Sequence, residues 1–181
     1  MVASDMTQIA YTGCYYFRCE RPRCWFHPLG YGTLGYALPA AIGAKLAAPE
    51  RATVALAGDA GLLFTGAGAG HRGRARSCRI AIVLWNNDAS RQIAEGMVEK
   101  GIPEIGVRQR NPGLHQARQG LRLPHRETDE PRPLQVPRSQ TAFAADGPTL
   151  DRGARGLRRS WSEMRALPSI VNGVTRGADE R

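Results

Sequence analysis

Two short apolar runs constrain this chain more than any other feature, Val54–Ala57 and Ile80–Trp85. Each is cut off at once by small or polar residues: Gly58-Asp59-Ala60-Gly61 after the first, Asn86-Asn87 after the second. Runs of this length, rich in β-branched residues and bounded by turn formers, predict strands of a parallel sheet buried on both faces. In an open sheet of that kind the ligand crevice lies outside the carboxyl ends of the strands. Asp59 and Asn87 are therefore expected at one crevice. A carboxylate and an amide carbonyl are hard oxygen donors, suited to Mg²⁺ that keeps its other positions for water and phosphate. Taken singly, Asp59 reads as a solvated turn aspartate and Asn87 as a helix N-cap.

The spacing adds to this. Ala60 and Asn86 are separated by 25 residues, and upstream stands GYGTLGYALPAAIGAKLAAPERATVALAGD, Gly30 to Asp59. Together these segments resemble thiamine-diphosphate enzymes of the acetolactate synthase and benzoylformate decarboxylase branch, in which a GDG tripeptide is followed, after a stretch of similar length, by NN. Here Ala60 stands in place of the last glycine, and Asp88-Ala89-Ser90-Arg91 where DGYG is common. A methyl at Ala60 is a mild change unless the backbone there needs positive φ.

The resemblance implies an α/β fold: a Rossmann-like parallel sheet flanked by helices, incomplete here, with an irregular Arg-rich C-terminal part. It implies thiamine diphosphate and Mg²⁺ as cofactors. Asp59, Asn87 and a backbone carbonyl at Ala89 would hold the metal. The cofactor would lie against Gly32, Thr33, Leu34, Gly58, Asp59, Ala60, Gly61 and Asn87. In the family the carbonyl at the position of Gly32 accepts a hydrogen bond from the aminopyrimidine, and the apolar residue at Leu34 wedges the cofactor into a bend. That bend places an amino group beside the thiazolium carbon, a gain of positioning. The implied activity is decarboxylation or carboligation of a 2-oxo acid. The glutamate that activates the pyrimidine belongs, in the family, to a separate domain on a partner chain, and no stretch here resembles that domain. The chain thus reads as one half of an active site, in a homo-oligomer or docked on a partner, and inactive as an isolated fragment. A non-catalytic subunit on a full-length paralogue is a further reading.

At 181 residues the chain is one domain by size. The expected division is a cofactor-binding domain over 1–107, atypical at 65–79, and an Arg-rich tail over 108–181. No signal peptide and no long apolar run are evident, which predicts a cytoplasmic protein without a membrane partner. The net charge of +9 is concentrated. Residues 108–181 hold 14 Arg against 8 acidic residues, and 65–79 hold four Arg and no acid. A basic tail suggests a nucleic-acid module. Phe143 and Trp161 are its only large aromatics, however, so stacking platforms for bases are scarce. Cys14, Cys19 and Cys24 are spaced five apart with His27 nearby, but the pattern matches no common zinc motif, and free thiols are the alternative.

Along the chain, Met1–Gln8 predicts a first strand ending in a polar turn at Ser4-Asp5, and Tyr11 to Pro28 an irregular connection. Leu38, Ile42 and Leu46 recur every four residues, with Pro39 in the first turn and Pro49 as the stop, which predicts a helix. A helix after Asn87 would be capped by Asp88 and would bury Ile93, Met97 and Val98.

Between Phe64 and Ile80 the family places a helix reading like ELATAVEL. Here Gly66, Gly68, Gly70 and Gly73 argue against one, since each interior glycine costs about 1 kcal/mol relative to alanine. Ala69 to Arg76, AGHRGRAR, can be written in GC-rich codons that give ELATAVEL when read from two bases earlier, a frame shifted by one base. Gly113 to Arg122 shifts in the same way to DFIKLAKAF. Family-like sequence returns at Phe143 to Leu150, and Asp151 to Arg155 shifts to IEVR, the expected last strand. The expectation is a frameshifted and truncated reading of such a gene, which would account for the arginines without a partner. Resequencing the locus tests it: single-base corrections must restore one open frame.

Overall fold

The structure, a computed structural model, describes residues 1–66, 80–87 and 89–108, apart from the side chain of Thr12, together with the backbone of 125–127 and 149–152. In chain order its elements are β1 (Val2–Ser4), α1 (Gln8–Tyr16), β2 (Trp25–Phe26), α2 (Ala37–Ala47), β3 (Val54–Gly58), α3 (Asp59–Thr65), β4 (Ala81–Trp85), α4 (Arg91–Glu99), β5 (His125–Glu127) and β6 (Thr149–Arg152). The strands form one sheet in the order β2-β1-β3-β4-β6-β5. Every pairing is parallel.

β3 is a near-continuous apolar run because both of its faces are covered. Side chains alternate across a strand, so residues two apart share a face. Ala55 and Ala57 join Ala3, Ala37, Leu38, Ala41, Leu62, Ile82 and Leu84 on the face covered by α2 and α3. Val54 and Leu56 join Val2 and Ala81 on the other face, against Phe17 and Trp25. The first face is built largely of alanine, which lets α2 lie close to the strands. Pro39 sits in the first turn of α2 as expected, yet Leu46 is half exposed and the buried stripe is Ala37, Leu38 and Ala41.

Three expectations are corrected. Tyr11 to Pro28 is not irregular throughout, because it contains most of α1 and all of β2. Ile9 and Ala10 are buried, and Gly13 lies so close to the Trp25 ring that a Cβ there would overlap it. α1 has no side-chain cap and no acidic residue in its first turn, so the usual start signal is missing. The first strand is shorter than Met1–Gln8, since the chain enters α1 at Gln8. Third, the residue before the first turn of α4 is Ser90, which makes no side-chain capping hydrogen bond, and Ile93 and Val98 are 61 % and 60 % exposed. Only Ala94 of that helix is buried.

The glycine-rich interval 67–79, Asp88 and the shifted segment 113–122 lie outside the described residues. β5 and β6 come from the Arg-rich part, and β6 lies where the family-like sequence resumes. No described helix is long and apolar enough to cross a membrane.

Candidate functional site

Strand order positions the site. From β1 the chain passes outward to β2, then crosses back to β3 on the other side of β1. Neighbouring connections therefore leave the sheet in opposite directions at the carboxyl ends of β1 and β3, which opens a crevice there.

β3 and β4 pair from Val54↔Ala81 to Gly58↔Trp85. The next residues, Asp59 and Asn86, leave adjacent strand tips on the same edge, where strands lie about 4.8 Å apart. Both are buried, each 4 % exposed, and Asn87 is half-buried. Ala89 is held by an antiparallel bridge to Arg108, and the Ser90 N–H donates to the Val107 carbonyl at 2.8 Å. Asp59, Asn87 and Ala89 can thus offer a carboxylate, an amide oxygen and a main-chain carbonyl from the β3–β4 side, a donor set that fits Mg²⁺ with diphosphate oxygens.

On the β1–β2 side runs the glycine loop. Gly32 and Gly35 have φ of +66° and +81°, conformations that favour glycine. The Gly32 N–H donates to the Pro28 carbonyl at 2.8 Å, and the Thr33 hydroxyl donates to the Leu34 carbonyl at 3.1 Å. Leu34 is 38 % exposed, so an apolar side chain is available at the mouth. The loop meets α3, because a Cβ on Gly35 would press on Phe64 and Thr65. Gly32 in turn lies beside Met6, and Gly58 beside Thr7. Gly32, Thr33, Leu34, Gly58 and Gly61 are thereby gathered around the chain that follows β1, while Asn87 and Ala89 stand on the far side of β3. Ala60 lies inside α3, and Arg23 is the only described non-glycine residue with positive φ. The methyl at Ala60 therefore causes no backbone strain.

Sequence reasoning missed the centre of this arrangement, Asp5. It was read as part of a polar turn, yet it is 1 % exposed and its Oδ1 accepts the Ala37 N–H at 2.7 Å. Burial pushes its carboxyl above the usual carboxylate value, opposed by backbone N–H groups of Ala37, Tyr36, Gly58 and Gly35. Its Oδ2 fills the space that a Gly61 side chain would need. One carboxylate so ties the glycine loop, the start of α2 and the β3 tip together. The signal was present in the sequence, for Ser4-Asp5 ends an apolar run just as Gly58-Asp59 does.

The neighbouring pair is Ser4 and His27. Ser4 Oγ and His27 Nδ1 are 2.8 Å apart, and burial holds the His27 imidazole below its ordinary value. No three described His, Cys, Asp or Glu side chains converge as a metal site, so the zinc reading of Cys14, Cys19, Cys24 and His27 is set aside. The reason is local: Cys14 is exposed on α1, His27 is engaged by Ser4, and Cys24 by Arg51.

Comparisons with known proteins agree with this geometry. Residues 5–132 match the family model described as the thiamine pyrophosphate enzyme, C-terminal TPP binding domain. The chain is 50 % identical over 111 residues to a protein named "Probable 2-ketoarginine decarboxylase" from Pseudomonas aeruginosa, covering 61 % of this chain and 20 % of the relative. It is 41 % identical over 58 residues to the acetolactate synthase isozyme 3 large subunit of Escherichia coli, covering 32 % and 10 %. Among solved structures, the thiamine diphosphate-dependent 4-hydroxybenzoylformate decarboxylase of Rhodococcus jostii superposes with a TM-score of 0.62 at 22 % identity, over 75 % of this chain and 25 % of that one. The chain therefore spans about a fifth of the decarboxylase relative's length and a tenth of the synthase's. Nothing in these likenesses supports a nucleic-acid module. With its crevice at the β1–β3 switch and this match over most of its length, the chain belongs to the thiamine pyrophosphate enzymes, through their C-terminal TPP-binding domain.

Proposed function

We propose that this chain holds thiamine diphosphate through Mg²⁺ and forms the diphosphate-binding half of an enzyme that decarboxylates or carboligates a 2-oxo acid. The carrying observation is the adjacency of the β3 and β4 tips, Gly58 opposite Trp85, which sets Asp59 and Asn86-Asn87 side by side. In this reading Asp59 supplies the negative charge that retains the metal, Asn87 and the Ala89 carbonyl complete the protein's share, and water is left for the remaining positions. Gly32 offers its carbonyl to the aminopyrimidine, and Leu34 props the ring system in place. Thr33, Gly58, Ala60 and Gly61 line the path of the diphosphate. When bound, the cofactor supplies an electron sink for cleavage beside a carbonyl. This chain contributes anchoring and orientation, and the pyrimidine-activating acid comes from a partner chain's domain. Relatives named for decarboxylation and acetolactate synthesis support the 2-oxo acid class.

The test is a thermal melt of the full chain with Mg²⁺ alone, thiamine diphosphate alone, and both. A ligand that binds only the folded state raises Tm. The expected result is a small rise that needs both components and disappears in Asp59→Asn. A rise equal in Asp59→Asn, or none at saturating concentrations of both, overturns the proposal.

A further inference from the structure

The loop between α1 and β2 carries a second arrangement of reactive groups, away from the cofactor crevice. Its two ends are clasped: the rings of Phe17 and Trp25 lie 5.1 Å apart between centroids. Cys19 comes two residues after Phe17 and Cys24 immediately before Trp25, so the clasp draws both to the neck of the same loop. Arg23, between them, has φ of +56°, a left-handed turn that reverses the chain. The main chain at Cys24 is anchored, its carbonyl accepting the Val2 N–H at 2.7 Å.

Arg51, from the connection between α2 and β3, reaches into this neck. Its Nη2 donates to Cys24 Sγ at 3.3 Å, and Nη1 points to the Pro22 carbonyl at 3.5 Å. The guanidinium is thus placed to stay paired with the sulfur when a base has taken its proton, and the thiolate is the nucleophilic form of cysteine. Cys19 differs from its neighbour. Partial desolvation, then the charge of Cys24, holds its thiol above the ordinary cysteine value. Cys24 is itself part exposed, and its two arginine neighbours, Arg23 and Arg51, line an open cleft beside α2. By contrast Cys14 is exposed on the surface of α1.

We propose that Cys24 is a peroxide-reactive thiol and that Cys19 resolves it into an intramolecular disulfide. The Cys24 thiolate attacks one oxygen of hydrogen peroxide, and the O–O bond breaks. Hydroxide leaves and takes a proton to form water, and Cys24 becomes a sulfenic acid. Cys19 then gives up its proton and attacks the Cys24 sulfur. The S–O bond breaks, and the departing hydroxide combines with that proton as a second water. The two cysteines together lose two electrons and the peroxide gains them. A thiol reductant reverses the step. The bond would tie the loop's neck at the edge strand that leads into the glycine loop.

The experiment uses the full chain with Cys14→Ser and Cys78→Ser, reduced, then exposed to stoichiometric hydrogen peroxide and read by intact and peptide mass spectrometry. The expected product has lost two hydrogens, carries the Cys19–Cys24 bridge and returns to the starting mass with dithiothreitol. In the unsubstituted chain iodoacetamide should label Cys24 faster than Cys14, by roughly tenfold if the Arg51 contact steadies the attacking sulfur. Arg51→Ala should remove that advantage and Arg51→Lys retain most of it, with circular dichroism confirming that each variant is folded. Equal labelling of Cys14 and Cys24, or peroxide carrying Cys24 to sulfinic acid while Cys19 stays free, overturns the proposal. Neither readout depends on thiamine diphosphate.

Discussion

α2 and α4 each follow a strand of the same parallel sheet, and they treat their apolar residues in opposite ways. α2 buries Ala37, Leu38 and Ala41 almost completely. α4 leaves Ile93 and Val98 well exposed and buries Ala94 alone. Large apolar side chains are thus present on both helices but are buried on α2 only. α2 succeeds because the strands opposite it present Ala3, Ala55 and Ala57, small residues that allow close approach. An apolar stripe tells that a face gains from being covered, and the neighbouring surface decides whether this chain covers it.

The comparison can be broken or sharpened by substitution. The largest effect is expected at Leu38→Ala, where a fully buried side chain leaves a cavity and should cost about 2–5 kcal/mol in denaturant unfolding. A loss below 1 kcal/mol would mean that α2 is not the packed helix described. Next comes glycine to alanine in two helices. At Gly61 of α3 a Cβ would displace the Asp5 carboxylate from its N–H donors, so Gly61→Ala should destabilise by about 1–3 kcal/mol. At Gly96 of α4 nothing lies within 4 Å, and Gly96→Ala should instead stabilise by up to about 1 kcal/mol. Effects of the same sign at both would undo the contrast.

A smaller, pH-dependent effect belongs to Asp5. Its folded-state pKa is raised above the unfolded value near 3.8, so the folded chain binds the proton more tightly. The stability this provides is fully present below the unfolded pKa and is lost as pH rises through the folded one. Asp5→Asn removes that component. The stability of wild type relative to Asp5→Asn should therefore fall as pH rises from the unfolded value, followed by urea unfolding across the acid range. A difference independent of pH would sink this account. The smallest effect is expected at Ile93→Ser, within about 0.5 kcal/mol, as for a surface position. A larger loss would show that α4 packs its apolar face.

How far the fold could be read ahead varied by element. β3 and β4 were legible, because an apolar run ended by Gly-Asp or Asn-Asn is a signal carried by adjacent residues. α2 was legible from Leu38, Ile42, Pro39 in its first turn and Pro49 past its end, although its buried stripe moved toward Ala41. α1 was not, since its start lacks a capping side chain and a ring it packs against, Trp25, lies well beyond its end. In the crevice, Asp59 and Asn87 were located by their strand tips and the GDA–NN spacing. Asp5 carries the same local signature and was passed over, because nothing near it in the chain shows that its four N–H partners come from Gly35 to Ala37 and from Gly58.

The amino-acid sequence alone determined that short parallel strands end in oxygen donors and glycine turns, since strand length, terminators and turn formers act between neighbours in the chain. Only the tertiary structure decided that β1 lies between β2 and β3, that Asp5 becomes the buried tie of the crevice, and that Cys24 meets Arg51. Each of these joins residues at least 23 positions apart, and such pairings follow from the crossovers, which no local pattern encodes.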